Sequence, residues 1–203
     1  MQWLRSLRGI GIGKSCLIIG GGNSVLDFDF SQVPDDLTII GLNDNKPDDI
    51  TLDLIICFDL CSHDPMTEKG LWDHCPVAGY RLKRHPRMTY YFTDSEMYPA
   101  AQHENIGLKA LCLARRLLCF DHIYLVGFDF YTVNGVSHFC GDEVGHKKKY
   151  MDDAHLRGHI NRLSSMPEQF EKIAHWDGIY NCNRESALTI FPYGLPCRER
   201  VIA

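Results

Sequence analysis

An apolar run that stops abruptly on three glycines constrains this chain more than any other stretch: Cys16-Leu17-Ile18-Ile19-Gly20-Gly21-Gly22, followed by Asn23 and Ser24. Leu17-Ile18-Ile19 has no polar alternation, so it reads as a strand buried on both faces, the pattern of a parallel sheet. Glycines at the carboxyl end of such a strand let a ligand approach the backbone closely. Asn23 or Ser24 can then cap a helical turn whose free N–H groups face the same spot. A phosphate fits that arrangement. A tight strand-to-helix connection with no ligand satisfies the same residues. The run also lacks the full dinucleotide fingerprint and the lysine of a P-loop.

The rest of the chain gives the turn a setting. Leu37-Thr38-Ile39-Ile40-Gly41-Leu42-Asn43 is a second strand, after a turn at Pro34-Asp35-Asp36. Leu52–Asp59 is a third, ending in Asp59, and His122–Gly127 is a central strand running into Phe128-Asp129-Phe130-Tyr131. These strands finish on polar side chains: Asn43, Asp59, and Asp129 with Tyr131. In an open parallel sheet, ligands bind beyond the carboxyl ends of the strands. Ile106–Leu118 is apolar nearly all round and predicts a buried helix. A helix is expected over Ile160–Ala174, a last strand over Ile179–Cys182 and a short helix over Ser186–Phe191. Residues 1–14 read as a basic, peripheral lead-in. The polar stretch 136–160 is long for a plain connection and is expected to form a lid-like loop. The expectation is an α/β, Rossmann-like fold: a mostly parallel central sheet with helices on both faces, built as a single domain over 1–203, with 15–135 as the nucleotide-binding core.

Composition excludes some partners. A net charge of −5 argues against general binding to nucleic acid. No apolar stretch reaches the ~18 residues a transmembrane helix needs, and the opening residues lack a signal-peptide apolar region. Nine cysteines, scattered and mostly inside apolar runs, suit free thiols in a reducing cytoplasm better than a disulfide framework. His63, His74 and His85 lie among prolines with no paired ligand spacing, so no metal site is expected. Asp27-Phe28-Asp29 is formally an Asp-x-Asp but follows the first strand directly, where i and i+2 do not share a helix face. Histidines 155 and 159, in His155-Leu156-Arg157-Gly158-His159, can take a proton at neutral pH.

Taken together, four segments resemble the bacterial CMP-sialic-acid-dependent sialyltransferases of glycosyltransferase family 42. These are Gly20–Ser24 with Ser31-Gln32-Val33-Pro34, Gly127–Tyr131, His155–His159, and Ile179–Leu188. They keep the family's order. The resemblance implies metal-independent, inverting transfer of a sialic-acid-like sugar from a CMP-sugar to a glycan or lipid-linked acceptor. No cofactor is required beyond that donor. His159 would be the base, and Tyr131 would hydrogen-bond the departing phosphate. Gly20, Gly21, Gly22, Asn23, Ser24, Asn43, Gly107 and Asp129 would hold the nucleotide. Two positions depart from the pattern. The family's Asn between the glycines is Gly21 here, with Asn23 two residues on. Its second phosphate-binding Tyr falls near Ser137-His138-Phe139, where His138 is the available donor. The resemblance leaves room for a homo-oligomer. It also leaves two other readings open: a Mg²⁺- and ATP-dependent enzyme resembling pterin pyrophosphokinases, and a non-catalytic nucleotide-binding module of the same fold.

Overall fold

The unalternating runs form the middle of one sheet. In a computed structural model of the chain, residues 2–58, 62–80, 85–93, 105–132 and 165–196 are described. The strands are β1 (Gln2–Trp3), β2 (Ser15–Ile19), β3 (Thr38–Leu42), β4 (Leu54–Cys57), β5 (Val77–Tyr80), β6 (Tyr90–Phe92), β7 (His122–Val126) and β8 (Ile179–Asn181). Their spatial order is β1-β6-β5-β4-β3-β2-β7-β8, and every pairing is parallel. In register, Leu17 lies between Ile39 and Tyr124, and Ile18 between Ile40 and Leu125.

Alternate residues of β2 explain its lack of polar alternation. Cys16 and Ile18 face one core, while Leu17 and Ile19 face the other. The first core holds α2 (Ile106–Cys112), with Leu108 and Leu111 fully buried. The second holds α1 (His63–Glu68) through Met66, with Leu71 and Trp72 beside it. Helices therefore cover both faces of the sheet. A fully buried Leu or Ile contributes about 2 kcal/mol, and a glycine costs about 0.5–1 kcal/mol relative to alanine. The apolar strand thus outweighs the entropic cost of its three terminal glycines.

Several sequence expectations need correction. Residues 1–14 are not wholly peripheral: β1 forms the edge of the sheet, and Leu4 is fully buried in the first core. A two-residue strand is too short for any periodicity to show. The buried helix starts as expected but continues from Leu113 to Leu118 as a π-helical stretch. It ends at Cys119, which holds a left-handed φ of 65°, and Arg115 Nη1 donates to the carbonyls of Phe120 and Asp121 at 2.9 and 2.8 Å. The described part of 160–174 contains a 3-10 helix over Pro167–Ile173 rather than an α-helix. Ser186–Phe191 is not helical, because side chains claim its backbone. Asn181 Nδ2 donates to Leu188 O at 3.1 Å, and Leu188 N donates to Ser186 Oγ at 3.0 Å. Local side-chain bonds of this kind compete with helix formation.

The buried thiols make the core testable. Burial pushes Cys112 and Cys182 up to about 12 and raises Cys16 strongly as well. The thiolate is the nucleophile, so iodoacetamide at pH near 8 is expected to leave these three unmodified in the folded protein and to label all three in denaturant. Peptide mass mapping checks this. Rapid native labelling of Cys16 would contradict the packing described.

Candidate functional site

The site lies where the strand order reverses. From β2 the chain builds outward through β3, β4, β5 and β6, then crosses back to place β7 on the other side of β2. A crevice opens at such a switch point, beyond the carboxyl ends of the two neighbouring strands. Here those ends are Gly20–Ser24 after β2 and Gly127–Tyr131 after β7.

The two ends meet backbone to backbone. Gly20 N donates to Val126 O and Gly22 N to Gly127 O, each at 2.8 Å. A Cβ on Gly20 would sit 2.5 Å from Gly127 O, so no side chain fits there. Gly127 itself has φ +74°, and a Cβ on it would sit 2.6 Å from Val25 Cγ2. The glycines are therefore explained first by this close approach of two strand ends. Gly20→Ala forces one end off the other. It is expected to cost about 2–3 kcal/mol, read as a lower denaturation midpoint; a change below about 0.5 kcal/mol would contradict the contact.

Asp129 ties the ends together. It is 1% exposed. Its Oδ2 accepts from Ser24 N at 2.8 Å, and its Oδ1 accepts from Ser24 Oγ at 2.5 Å and from Asn183 Nδ2 at 3.0 Å. Ser24 Oγ also accepts from Gly127 N at 3.2 Å. Asp129 thus clamps the glycine turn to β7 and to the segment after β8. Asn183 continues the network, since its Nδ2 also donates to Tyr131 OH at 3.3 Å. The phenol oxygen accepts that bond, so its own hydrogen remains to be donated elsewhere. Between these bonded residues, Phe130 holds φ +57°. A bulky residue in that region costs about 1–3 kcal/mol and is characteristic of functional sites.

The turn and the segment after β8 face each other across a cleft of about 1010 Å³. Ser24, Phe28 and Asp29 line one wall; Tyr131, Asn183 and Arg184 line the other. Arg184 stacks its guanidinium over the Tyr193 ring, 3.8 Å from the centroid. Asp29 accepts from Ser31 N, Ser31 Oγ and Gln32 Nε2. The side-chain bond from Ser31, then that from Gln32, holds its carboxyl below the ordinary value. With the folded value depressed, the cap is in place at neutral pH and is lost as pH falls through that value. These bonds make Asp29 a turn cap, consistent with an incidental Asp-x-Asp.

The remaining expected site residues sit as follows. Gly21 and Asn23 are half-buried within the same turn. Gly107 is the second residue of α2; its N–H donates to the capping Asn105 Oδ1 at 2.6 Å, and a Cβ on it would lie 2.5 Å from the Phe128 ring. It therefore packs against the end of β7. Asn43 ends β3 with φ +55°, and its Oδ1 accepts from Phe58 N at 3.0 Å. It braces the end of β3 against the end of β4. Asp59, His138, His155 and His159, with the stretch 136–160, lie outside the described residues. Among the described residues, no three His, Cys, Asp or Glu side chains are grouped to hold a metal ion. Also among them, no helix is long and apolar enough to cross a membrane.

Sequence reasoning missed Asn183. The signal was present, as a polar residue just past the strand that lies next to β7, but nothing in the sequence showed that β8 lies there.

No protein-family model and no curated sequence matches this chain. Solved structures share its fold. It is similar to the sialyltransferase CstII from Campylobacter jejuni in complex with the substrate analogue cytidine-5'-monophosphate, with a TM-score of 0.63 and 14% identity, over 91% of this chain and 87% of that one. It is similar to the monofunctional α-2,3-sialyltransferase Cst-I from the same organism, with a TM-score of 0.59 and 12% identity, over 90% and 80% of the two chains. A complex of CST-II with a trisaccharide acceptor and CMP gives a TM-score of 0.55 at 16% identity, over 89% and 85%. At these identities the likeness is one of fold.

Proposed function

We propose that this chain is a glycosyltransferase that moves a sialic-acid-like sugar from a CMP-sugar to a glycan or lipid-linked acceptor, with inversion and without a metal ion. The observation that carries the reading is the Ser24–Asp129–Asn183–Tyr131 network. It stands at the switch point of a fold shared with enzymes in complex with CMP. The glycine turn, Asn23, Asn43 and Gly107 belong to the nucleotide side of the site. In the proposed step the acceptor hydroxyl oxygen attacks the anomeric carbon. The bond from that carbon to the phosphate oxygen breaks, and CMP leaves with the electron pair. His159 takes the acceptor proton. Tyr131, and His138 in place of a second tyrosine, donate hydrogen bonds to the departing phosphate. Donors aimed at charge that develops in the transition state are the usual main source of rate.

Thermal shift with nucleotides tests the donor. CMP and CDP are expected to raise the melting temperature more than AMP or GMP at equal concentration, by mass action on the folded state. Equal shifts would remove the cytidine claim. Transfer from CMP-N-acetylneuraminate that persists in EDTA supports a metal-independent step; loss of activity in EDTA contradicts it.

A further inference from the structure

We propose that the loop between β1 and β2 docks this protein on anionic lipid surfaces. The loop reads Arg5-Ser6-Leu7-Arg8-Gly9-Ile10-Gly11-Ile12-Gly13-Lys14. The observation that calls for explanation is its two isoleucines, 51% and 70% exposed. They are held outward by a bonded turn and not by chance of sequence. Gly9 N donates to Leu117 O at 3.0 Å and Gly11 N to Leu118 O at 2.8 Å, which fixes the loop on the end of the buried helix. Within it, Ile10 N donates to Leu7 O, Ile12 N to Gly9 O and Lys14 N to Gly11 O. Gly11 lies flat on Phe120, with no room for a Cβ. Gly11 is thus the inward-facing residue of the loop, and Ile10 and Ile12 on either side of it stay largely exposed, with only the tip of Ile12 lying against Gly9.

Charge selects the occupant. Arg5, Arg8 and Lys14 are exposed around the isoleucines. Neither Arg8 nor Lys14 has an ion-pair partner among the described residues. Asp121 is the acidic group closest in the bonding pattern, and its Oδ2 accepts from Gly13 N at 3.1 Å. The chain carries no acidic residue before Asp27, yet its net charge is −5. Positive charge is thus concentrated on a loop that also exposes apolar side chains, the combination that binds membrane interfaces. A nucleic-acid contact has no use for the isoleucines, and a contact between copies would set like charges together. The loop leads into the amino end of β2, so the cleft at the carboxyl ends of the strands opens at the opposite end of the sheet and stays clear of the surface.

Co-sedimentation of the whole protein with vesicles tests this. The probes are pure phosphatidylcholine vesicles and vesicles in which half the lipid is phosphatidylglycerol. Binding is expected to the anionic vesicles only, and to weaken as salt is raised. The double variant Ile10→Ser with Ile12→Ser is expected to bind about ten-fold more weakly. Arg8→Glu with Lys14→Glu is expected to abolish binding. Both pairs are exposed, so melting temperature and any nucleotide response should be unchanged, and a failure here leaves the proposed donor untouched. Equal binding to both vesicle types overturns the proposal, as does full binding by the isoleucine variant. Three other results overturn it too: no binding to either vesicle, a dimer in sedimentation that the isoleucine variant abolishes, and tight RNA binding that this variant retains.

Discussion

Asp129→Ala is expected to cost about 3 kcal/mol or more of folding stability and to abolish any response to CMP. The carboxyl group is almost fully buried and accepts three hydrogen bonds, two from Ser24 and one from Asn183. Bonds to a charged acceptor are each worth about 1.5–3 kcal/mol, and removing the acceptor leaves its donors unpaired. The loss is not three times the single value, because Ser24 Oγ keeps its bond from Gly127 N and exposed donors can reach water. Urea denaturation checks the first part and thermal shift with CMP the second. A stability loss below about 1 kcal/mol would mean that the strand ends hold without the clamp. Asp129→Asn is the graded control. It keeps the shape but turns an NH₂ group toward a donor, so its loss should lie between wild type and alanine.

The second large effect is on rate. Tyr131→Phe is expected to lower kcat by roughly a hundred-fold, the scale found when one donor to a developing oxyanion is removed. The ring is kept and only the bond from Asn183 is lost, so stability should fall by no more than about 1 kcal/mol. The contrast separates the two residues: Asp129 acts by holding the site together, Tyr131 by what it donates. If Tyr131→Phe leaves kcat within two-fold, the phenol is a half-buried aromatic with no part in the reaction. A rise in KM with kcat intact would assign it to binding alone.

Much of the sheet was legible because its central strands are buried on both faces. Leu17–Ile19 and Leu54–Cys57 are buried throughout, and Ile39–Leu42 and Ile123–Val126 are buried except for the half-buried Ile39 and Tyr124. β5 was not legible, since Val77-Ala78-Gly79-Tyr80 is short and sits among the prolines and histidines of an irregular stretch. Its place in the sheet comes from pairing with β4 and β6, which no local signal encodes. The site divides in the same way. A strand ending on glycines, Asn and Ser marked the cleft, and the Gly127–Tyr131 segment marked its neighbour. The role of Asp129 did not follow from its position, because its partners Ser24 and Asn183 lie far off in sequence. Asn43 is a further case: its bond from Phe58 N, which braces β3 against the end of β4, joins positions that no local signal in the sequence brings together.

The placement of β1 governs how this molecule assembles and how it fails. Trp3 pairs with Tyr91, at the far edge from β7 and β8. Closing that contact costs roughly 4 kcal/mol of chain entropy, about 1 kcal/mol more than bringing β3 onto β2. Only two residue pairs form along the strand in return. Leu4, fully buried beneath the sheet, is the peg that holds it. The edge strand is therefore expected to dock late during folding and to leave early when the protein is stressed. Its departure uncovers the backbone of Tyr90–Phe92, an aromatic strand ready to accept another chain. Exchange of this short strand between molecules is the route by which concentrated or heated samples should first associate.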